Sequence, residues 1–443
     1  MMLPRPVVEF HPRPVRVAPA PRPPVLLTMA GHAGTLAAAR CFGNAGIRVT
    51  VASDSVLRPA AWSRHAKRTV RCPRPSDPVK FLEWLLEFGK ANPGHFLYPT
   101  CDDFAYLFAR HREELSRNFV LYQPPVEVIL DLLDKKSLYE ACGRAGVAVP
   151  HTFFAPTDAD AYRVAAEAQF PLLIKPRTQV MFPTAMKGWR VDKRTDLAQS
   201  LRAYRERNFY IPAILEDRPD VAHPMLQTYH PEAEGGIESI AGFIDEHGGL
   251  FAARAARKLL QRPRRVGIGI CFEHAPLDLE AREAIRRLCK QVGYHGVFEA
   301  EFIRSGNERL LIDFNPRFYG QMGFEIARGL PSPLLAYLAA IGDRTALREE
   351  VAKAQRTRFD EEPPIYLHRF ALSLQIFAQR VSGRMPRDVA RRWKEWYAAH
   401  RRIAVDAAFD KRDPVPGLLE ALSLVWGAAR HPRGFLRSIL LDR

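Results

Sequence analysis

The sequence predicts an α/β fold: a doubly wound parallel sheet at the N-terminal end, then an α+β unit, then a mostly helical, basic C-terminal region. Three observations carry this. A β-α-β pattern begins at Val25, strands and helices mix from Phe170 to Arg317, and the pattern becomes helical and arginine-rich after about Gly342. At 443 residues the chain is too long for one core, so two to four domains or subdomains are expected.

Residues 1–24 carry eight prolines and four arginines with little that could enter a core, and read as a disordered lead-in. From Val25 the character changes. Val25 to Met29 is a short buried strand, Gly31-His32-Ala33-Gly34 a turn, Thr35 to Asn44 an alanine-rich helix stopped by Gly46, and Ile47 to Ala52 a second strand ending at Asp54. Gly31 and Gly34 do not complete G-x-G-x-x-G, so a dinucleotide fingerprint is absent. Phe96 to Thr100 is a later strand of the same sheet, with Asp102 and Asp103 at its carboxyl end. Two readings stand for those aspartates: they cap the next helix, or they meet a ligand where open α/β sheets bind ligands. This first domain spans 25–130.

The second region spans 131–342. Asp134-Lys135-Lys136-Ser137 opens a helix ended by Gly146, and Val147 to Phe154 runs extended. Phe170 to Pro176 is an apolar strand ending in Lys175, and a helix follows from Asp196 to about Arg207. Met225 to Tyr229 and Ile237 to Ile244 are strands, and Phe251 to Ala255 pairs with the latter across Gly248-Gly249. A helix over 278–292 leads to a hairpin, E-F-I-R-S-G-N-E-R-L-L-I-D-F-N-P-R over 301–317, turning at Ser305-Gly306-Asn307. Strand alternation puts Asp313, Asn315 and Arg317 on one face and folds Glu301 back beside them. Two carboxylates and an amide oxygen form a hard oxygen set suited to Mg²⁺ or Mn²⁺, and Arg317 suits a phosphate or carboxylate. The alternative is a solvated polar strand face.

In the remainder, 343–443, residues 344–443 hold 20 Lys/Arg against 12 Asp/Glu, half of the net charge of +16. Arg391-Arg392 and Arg401-Arg402 with Trp393, Trp396 and Tyr397 between them read as an amphipathic helix with a basic outer face, and make no strong case for nucleic acid. Leu418, Leu419, Leu422, Val425 and Trp426 form a short helical stripe before Arg430, Arg433 and Arg437. It is expected to dock on the core, the alternative being peripheral contact with an anionic membrane. Six scattered cysteines without C-x-x-C spacing argue against disulfides and zinc and fit a cytoplasmic protein. No apolar run reaches the length of a membrane span, and residues 1–14 lack the apolar core of a secretory signal.

Asp134-Lys135, Ile174-Lys175-Pro176, Leu226-Gln227-Thr228-Tyr229, Gly236-Ile237-Glu238, Glu301-Phe302 and Asp313-x-Asn315-Pro316-Arg317 occur in the order found in ATP-grasp enzymes. Over residues 25–340 the chain resembles the carboxylate–amine ligases of that superfamily, and biotin carboxylase and carbamoyl-phosphate synthase domains. The resemblance implies two ATP-grasp subdomains hinged near 226–230, with ATP and Mg²⁺ (or Mn²⁺) as cofactors. It implies that a small-molecule carboxylate is activated as an acyl phosphate and joined to an amine. A bicarbonate-using carboxylase and a nucleotide- or surface-binding protein without turnover are the alternatives; a homodimer is left open.

In this reading Lys135 and Lys175 approach the phosphates. The resemblance gives Gln227, Tyr229 and His230 to the adenine hinge and Glu238 to the ribose. Lys187, in the loop Gln179 to Gly188, is a lid residue. Glu301, Asp313 and Asn315 hold the metal. Arg317 stabilises the acyl phosphate, and Arg257 and Lys258 in a basic loop cover the triphosphate or hold an acidic substrate, with Lys258 placed in catalysis. Gly31, Gly34, Asp102 and Asp103 help bind the acceptor. Two departures stand out: Asp313 replaces the family's usual glutamate, and the lid has one glycine.

Overall fold

The computed structural model describes residues 22–181, 188–207, 210–234, 236–262, 268–357, 363–383 and 385–430; the lead-in up to residue 21 and the end beyond 430 lie outside them. Strands β1 (Val25–Leu27), β2 (Val49–Ser53), β3 (Ala66–Arg71), β4 (His95–Leu97) and β5 (Phe119–Leu121) make an all-parallel sheet ordered β3-β2-β1-β4-β5. The runs V-L-L and V-T-V-A-S are buried throughout, as parallel strands covered on both faces require. The chain moves outward from β1 to β3, then returns to β4 and β5 on the other side. The switch point between β1 and β4 opens a crevice at their carboxyl ends.

Helix Ala33–Asn44 crosses from β1 and packs against helix Met322–Ala327. Close approach there requires Gly34, because a Cβ at this position would sit 2.4 Å from the Tyr319 carbonyl oxygen. Gly34→Ala is therefore expected to cost about 1–3 kcal/mol in a denaturant titration, and an unchanged midpoint would contradict this packing.

The second sheet is antiparallel: β6 (Thr152–Phe154), β7 (Leu172–Lys175), β8 (Trp189–Val191) and β9 (Met225–Thr228), ordered β6-β9-β7-β8. The third has seven strands: β10 (Ile237–Ile244), β11 (Phe251–Arg262), β12 (Ile268–Ala275), β13 (Gly296–Ser305), β14 (Glu308–Asn315), β15 (Ile365–Leu367) and β16 (Ala404–Asp406), ordered β14-β13-β10-β11-β12-β15-β16. Its core stacks Phe251 and Phe314 on Phe298, with ring centroids 5.7 Å apart in each pair. Gly306 (φ 59°) makes the tight turn of the β13–β14 hairpin, as the sequence predicts.

The C-terminal region is mostly helical, as expected, and adds two three-residue strands, β15 and β16, to the seven-stranded sheet. Asp413 ties it to the first sheet's helices, accepting from Arg40 Nε (3.0 Å), Ser63 Oγ (2.7 Å) and Arg64 N (2.8 Å). Helix Arg387–His400 is amphipathic as expected: Trp393 and Tyr397 pack beneath it, while Arg391 and Arg392 pair outward with Glu395 and Asp388. The apolar stripe does not dock. Leu418, Leu422, Val425 and Trp426 of helix Val415–Arg430 are 57–68% exposed, because another side of that helix packs against residues 59–62. All six cysteines are free, and among the described residues no helix is long and apolar enough to cross a membrane.

Candidate active site

A cavity of about 390 Å³ lies between the four-stranded and seven-stranded sheets and reaches the crevice of the parallel sheet. Each group in it is placed by strand alternation or an element end. β13 presents Glu299 and Glu301, two residues apart, and β14 presents Asp313 and Asn315 directly opposite: Glu299 pairs with Asn315 and Glu301 with Asp313. A bulge after Glu301 inserts Ile312, so Ile312 as well as Asp313 lines the cavity.

Four cations line the same cavity, and two of them pair with these acids. Lys135, at the first turn of helix Lys135–Ala145, donates to Asp313 Oδ1 at 2.5 Å and to the Ile312 carbonyl at 3.2 Å. Lys258 on β11 donates to Glu301 Oε1 at 2.5 Å. Lys175, at the end of β7, donates to Gln227 Oε1 at 3.2 Å. Arg317, just beyond β14, donates from Nε to Asp102 Oδ1 at 2.7 Å and from a terminal nitrogen to Asn315 Oδ1, also 2.7 Å. This last pair joins the seven-stranded sheet to helix Asp102–Arg110 of the first domain, so Asp102 is neither a solvated residue nor the helix cap, which is Cys101.

The charges are close to balanced. Burial opposes the Lys135 ammonium, but Asp313 and then Tyr139 outweigh it and raise its pKa. Burial, then the neighbouring Glu301, pushes the Glu299 carboxyl up to about 8, and it accepts from the Asn315 and Gln321 side-chain amides. His32, in the turn after β1, is lowered to about 4, chiefly by burial and then by Arg317; its Nδ1 has no hydrogen-bond partner among the described residues. It stays a neutral imidazole at physiological pH.

The linker from β9 to β10 bounds the cavity with Gln227, Thr228, Tyr229 and His230. The Gln227 amide donates to Tyr139 Oη at 2.9 Å, and the Arg190 guanidinium sits 4.4 Å from the Tyr229 ring centroid. This segment connects the two sheets at the position where the sequence reading expects a hinge.

Several expected site residues lie elsewhere. Glu238 is on the opposite face of β10, bonded to Arg309 at 3.0 Å and near Arg304 at 3.5 Å. Its cross-strand neighbour Arg257 shares that outer face and pairs with Glu273 at 2.8 Å. The physical reason is parity: Ile237 and Lys258 are paired and face the cavity, so the next residue on each strand faces away. Arg257 and Lys258 thus belong to strand β11 and not to a loop. Asp103 accepts from the Met181 backbone N–H at 2.6 Å and is outside the cavity lining. Gly34 serves helix packing, and Gly31 lines a neighbouring cavity. Lys187 lies outside the described residues.

Sequence reading missed Glu299, Gln321 and His32. The i, i+2 spacing of Glu299 and Glu301 was a usable signal; His32 is visible only as the polar residue of a glycine turn.

The donor set fits a metal–nucleotide complex better than a bare ion. Among the described residues no three His, Cys, Asp or Glu converge to hold a metal. Glu301 and Asp313 supply two opposed carboxylates with the Asn315 amide beside them, and Mg²⁺ takes its remaining ligands from phosphates and water in such sites. The surrounding lysines match the phosphates' own charge.

An antiparallel sheet and a largely antiparallel one, joined by a linker around a cavity of this composition and preceded by a parallel-sheet domain, make up the ATP-grasp fold, and the chain has that fold. No family model matches it. In sequence it is 26% identical over 228 residues to the carbamoyl phosphate synthase large chain of Thermus thermophilus, covering 49% of this chain and 20% of that one. It is 22% identical over 297 residues to D-aspartate ligase of Enterococcus faecium, covering 63% of this chain and 68% of the ligase. The chain therefore spans about a fifth of the synthase large chains it matches. In structure it resembles the biotin carboxylase domain of Hydrogenobacter thermophilus 2-oxoglutarate carboxylase, solved with MgADP and bicarbonate (TM-score 0.56, 17% identity, 76% of this chain and 70% of that one). It also resembles L-amino acid ligase of Bacillus licheniformis (TM-score 0.55, 14% identity, 76% and 78%).

Proposed function

We propose that the chain is an ATP- and Mg²⁺-dependent carboxylate–amine ligase. The observation that supports it best is the opposed pair Glu301 and Asp313, each held by a lysine, in a cavity beneath the Gln227–His230 hinge. ATP enters with its adenine at the hinge and its phosphates toward Lys135, Lys175 and Lys258. Glu301, Asp313 and Asn315 would hold the metal, which would supply neutralisation of phosphate charge. A substrate carboxylate beside Arg317 attacks the γ-phosphorus and ADP leaves; an amine then attacks the acyl phosphate, forming the amide and releasing phosphate. Phosphoryl transfer needs mainly positioning and fixed charge, which this arrangement provides. The ligase names among the relatives and structural neighbours agree with this reading.

An ADP-release screen over carboxylate–amine pairs, with product mass measured, tests it. The expected result is release that needs both substrates and Mg²⁺ and yields a mass equal to the pair minus water. Release with bicarbonate alone would favour a carboxylase, and no pair-dependent release would overturn the ligase reading. Lys175→Met, which keeps the stem and removes the charge, is expected to weaken MgATP binding by about one to two powers of ten in calorimetry. Wild-type affinity in that variant would remove Lys175 from the phosphate site.

A further inference from the structure

A second cavity, of about 900 Å³, lies at the carboxyl edge of the parallel sheet. Every part of its wall follows a strand directly: Gly31 and His32 after β1, Asp54 and Arg58 after β2, Arg74 after β3, whose last residue is Arg71. This is the edge at which open parallel sheets bind ligands. His32 lines this cavity and the nucleotide cavity alike, so the two meet at its imidazole, beside Arg317.

The charge in this second cavity is unbalanced. It holds three arginines and one carboxylate, and Arg58 takes that carboxylate in a bidentate pair with Asp54, both contacts 2.8 Å. The Arg58 stem is fixed on Gly31, where a Cβ would come within 3.2 Å of it. Arg71 and Arg74 are exposed, and among the described residues neither forms an ion pair. Arg71 also acts on Asp54 and helps hold its carboxyl below the usual range, so three guanidinium groups share one carboxylate in a concave wall, an excess of positive charge that selects carboxylate or phosphate oxygens. Its volume is at the upper end of small-molecule sites, roomier than a simple amino acid needs.

We propose that this cavity binds an anionic acceptor substrate, whose carboxylate or phosphate group pairs with Arg71 and Arg74 while its reacting end passes His32 toward Arg317. Calling the ligand an acceptor rests on the ligase reading; the anion site itself does not. Calorimetry on protein saturated with MgADP tests it, using succinate, L-glutamate and glycerol phosphate against their neutral counterparts succinamide, L-glutamine and glycerol. At least one anionic probe is expected to bind, roughly tenfold or more tighter than its neutral counterpart. The Arg71→Ala/Arg74→Ala double variant should lose at least the same factor with an unchanged melting temperature. The carboxylate and phosphate arms decide which anion is preferred. Equal binding by wild type and variant, equal binding of anions and neutral counterparts, or no binding of any anion at millimolar concentration would each overturn the proposal. Failure of MgADP itself to bind would instead count against the ligase reading, and the anion titrations would then be judged on nucleotide-free protein.

Discussion

Asp313→Asn is expected to reduce MgATP turnover by about 10²–10³-fold without unfolding the protein. The amide keeps the volume of the carboxylate and can still accept from Lys135, so the 2.5 Å contact changes from an ion pair to an ordinary hydrogen bond. What is lost is one of the two opposed charges, Glu301 and Asp313, that the hairpin offers a divalent ion. Lys135, 8% exposed, is then left as a buried cation with a weakened partner. The Mg²⁺ concentration needed for half-maximal ADP release should rise along with the loss of rate. Binding of Mn²⁺ in the presence of ADP, followed by electron paramagnetic resonance, gives a readout independent of substrate. Unchanged turnover with an unchanged metal requirement would remove Asp313 from the metal set.

The largest effect on stability is expected from Arg328→Met, at about 3–5 kcal/mol near pH 8. Arg328 and Glu325 are both fully buried, 3.0 Å apart, just where helix Met322–Ala327 meets the seven-stranded sheet. The guanidinium also donates to the Ala255 carbonyl at 2.7 Å and lies 3.9 Å from the Phe324 ring centroid. Methionine fills the space but leaves the Glu325 carboxyl alone. Burial already raises that carboxyl to about 7, with Arg328 opposing the rise. Because the folded pKa is above the unfolded one, the folded state binds the proton more tightly, and this group's contribution falls as pH rises through the interval from about 4.5 to about 7. Without Arg328 the folded pKa climbs further. The cost of the substitution should thus be smaller at pH 5, where Glu325 is protonated, than at pH 8. Urea unfolding of wild type and variant at both pH values measures it, and Glu325→Gln added to the variant should recover part of the loss at pH 8. Equal costs at the two pH values would show that packing, not the unpaired carboxyl, dominates.

The hairpin of β13 and β14 was readable because its evidence is local. A glycine turn sets the register, and period-two alternation then forces Glu301, Asp313 and Asn315 onto one face. Lys175 was readable as a charge closing an apolar strand. Glu238 and Arg257 were not, because their side of the sheet depends on parity across β10, β11 and β13, which pair at separations of up to 66 residues. β15 and β16, three residues each, carry too short a pattern to be seen at all. They exist because the edge of β12 offers unpaired backbone groups to whatever chain passes it.

By itself the sequence determined the α/β class, the strands around Val25, Val49, Leu172, Met225 and Ile237, the β13–β14 hairpin with its opposed acids, and the absence of disulfide spacing. Each follows from contacts within a few residues, where composition and periodicity act directly. Tertiary structure alone decided that Arg317 of the hairpin finds Asp102 of the first domain, 215 positions away, and that Lys135 finds Asp313. It also decided that the stripe on helix Val415–Arg430 stays exposed, and that Arg58 after β2, Arg71 at the end of β3 and Arg74 beyond it line one cavity with His32. These outcomes depend on how separately folded layers stack. Burial and charge balance select that stacking across the whole chain, and no short window of sequence contains it.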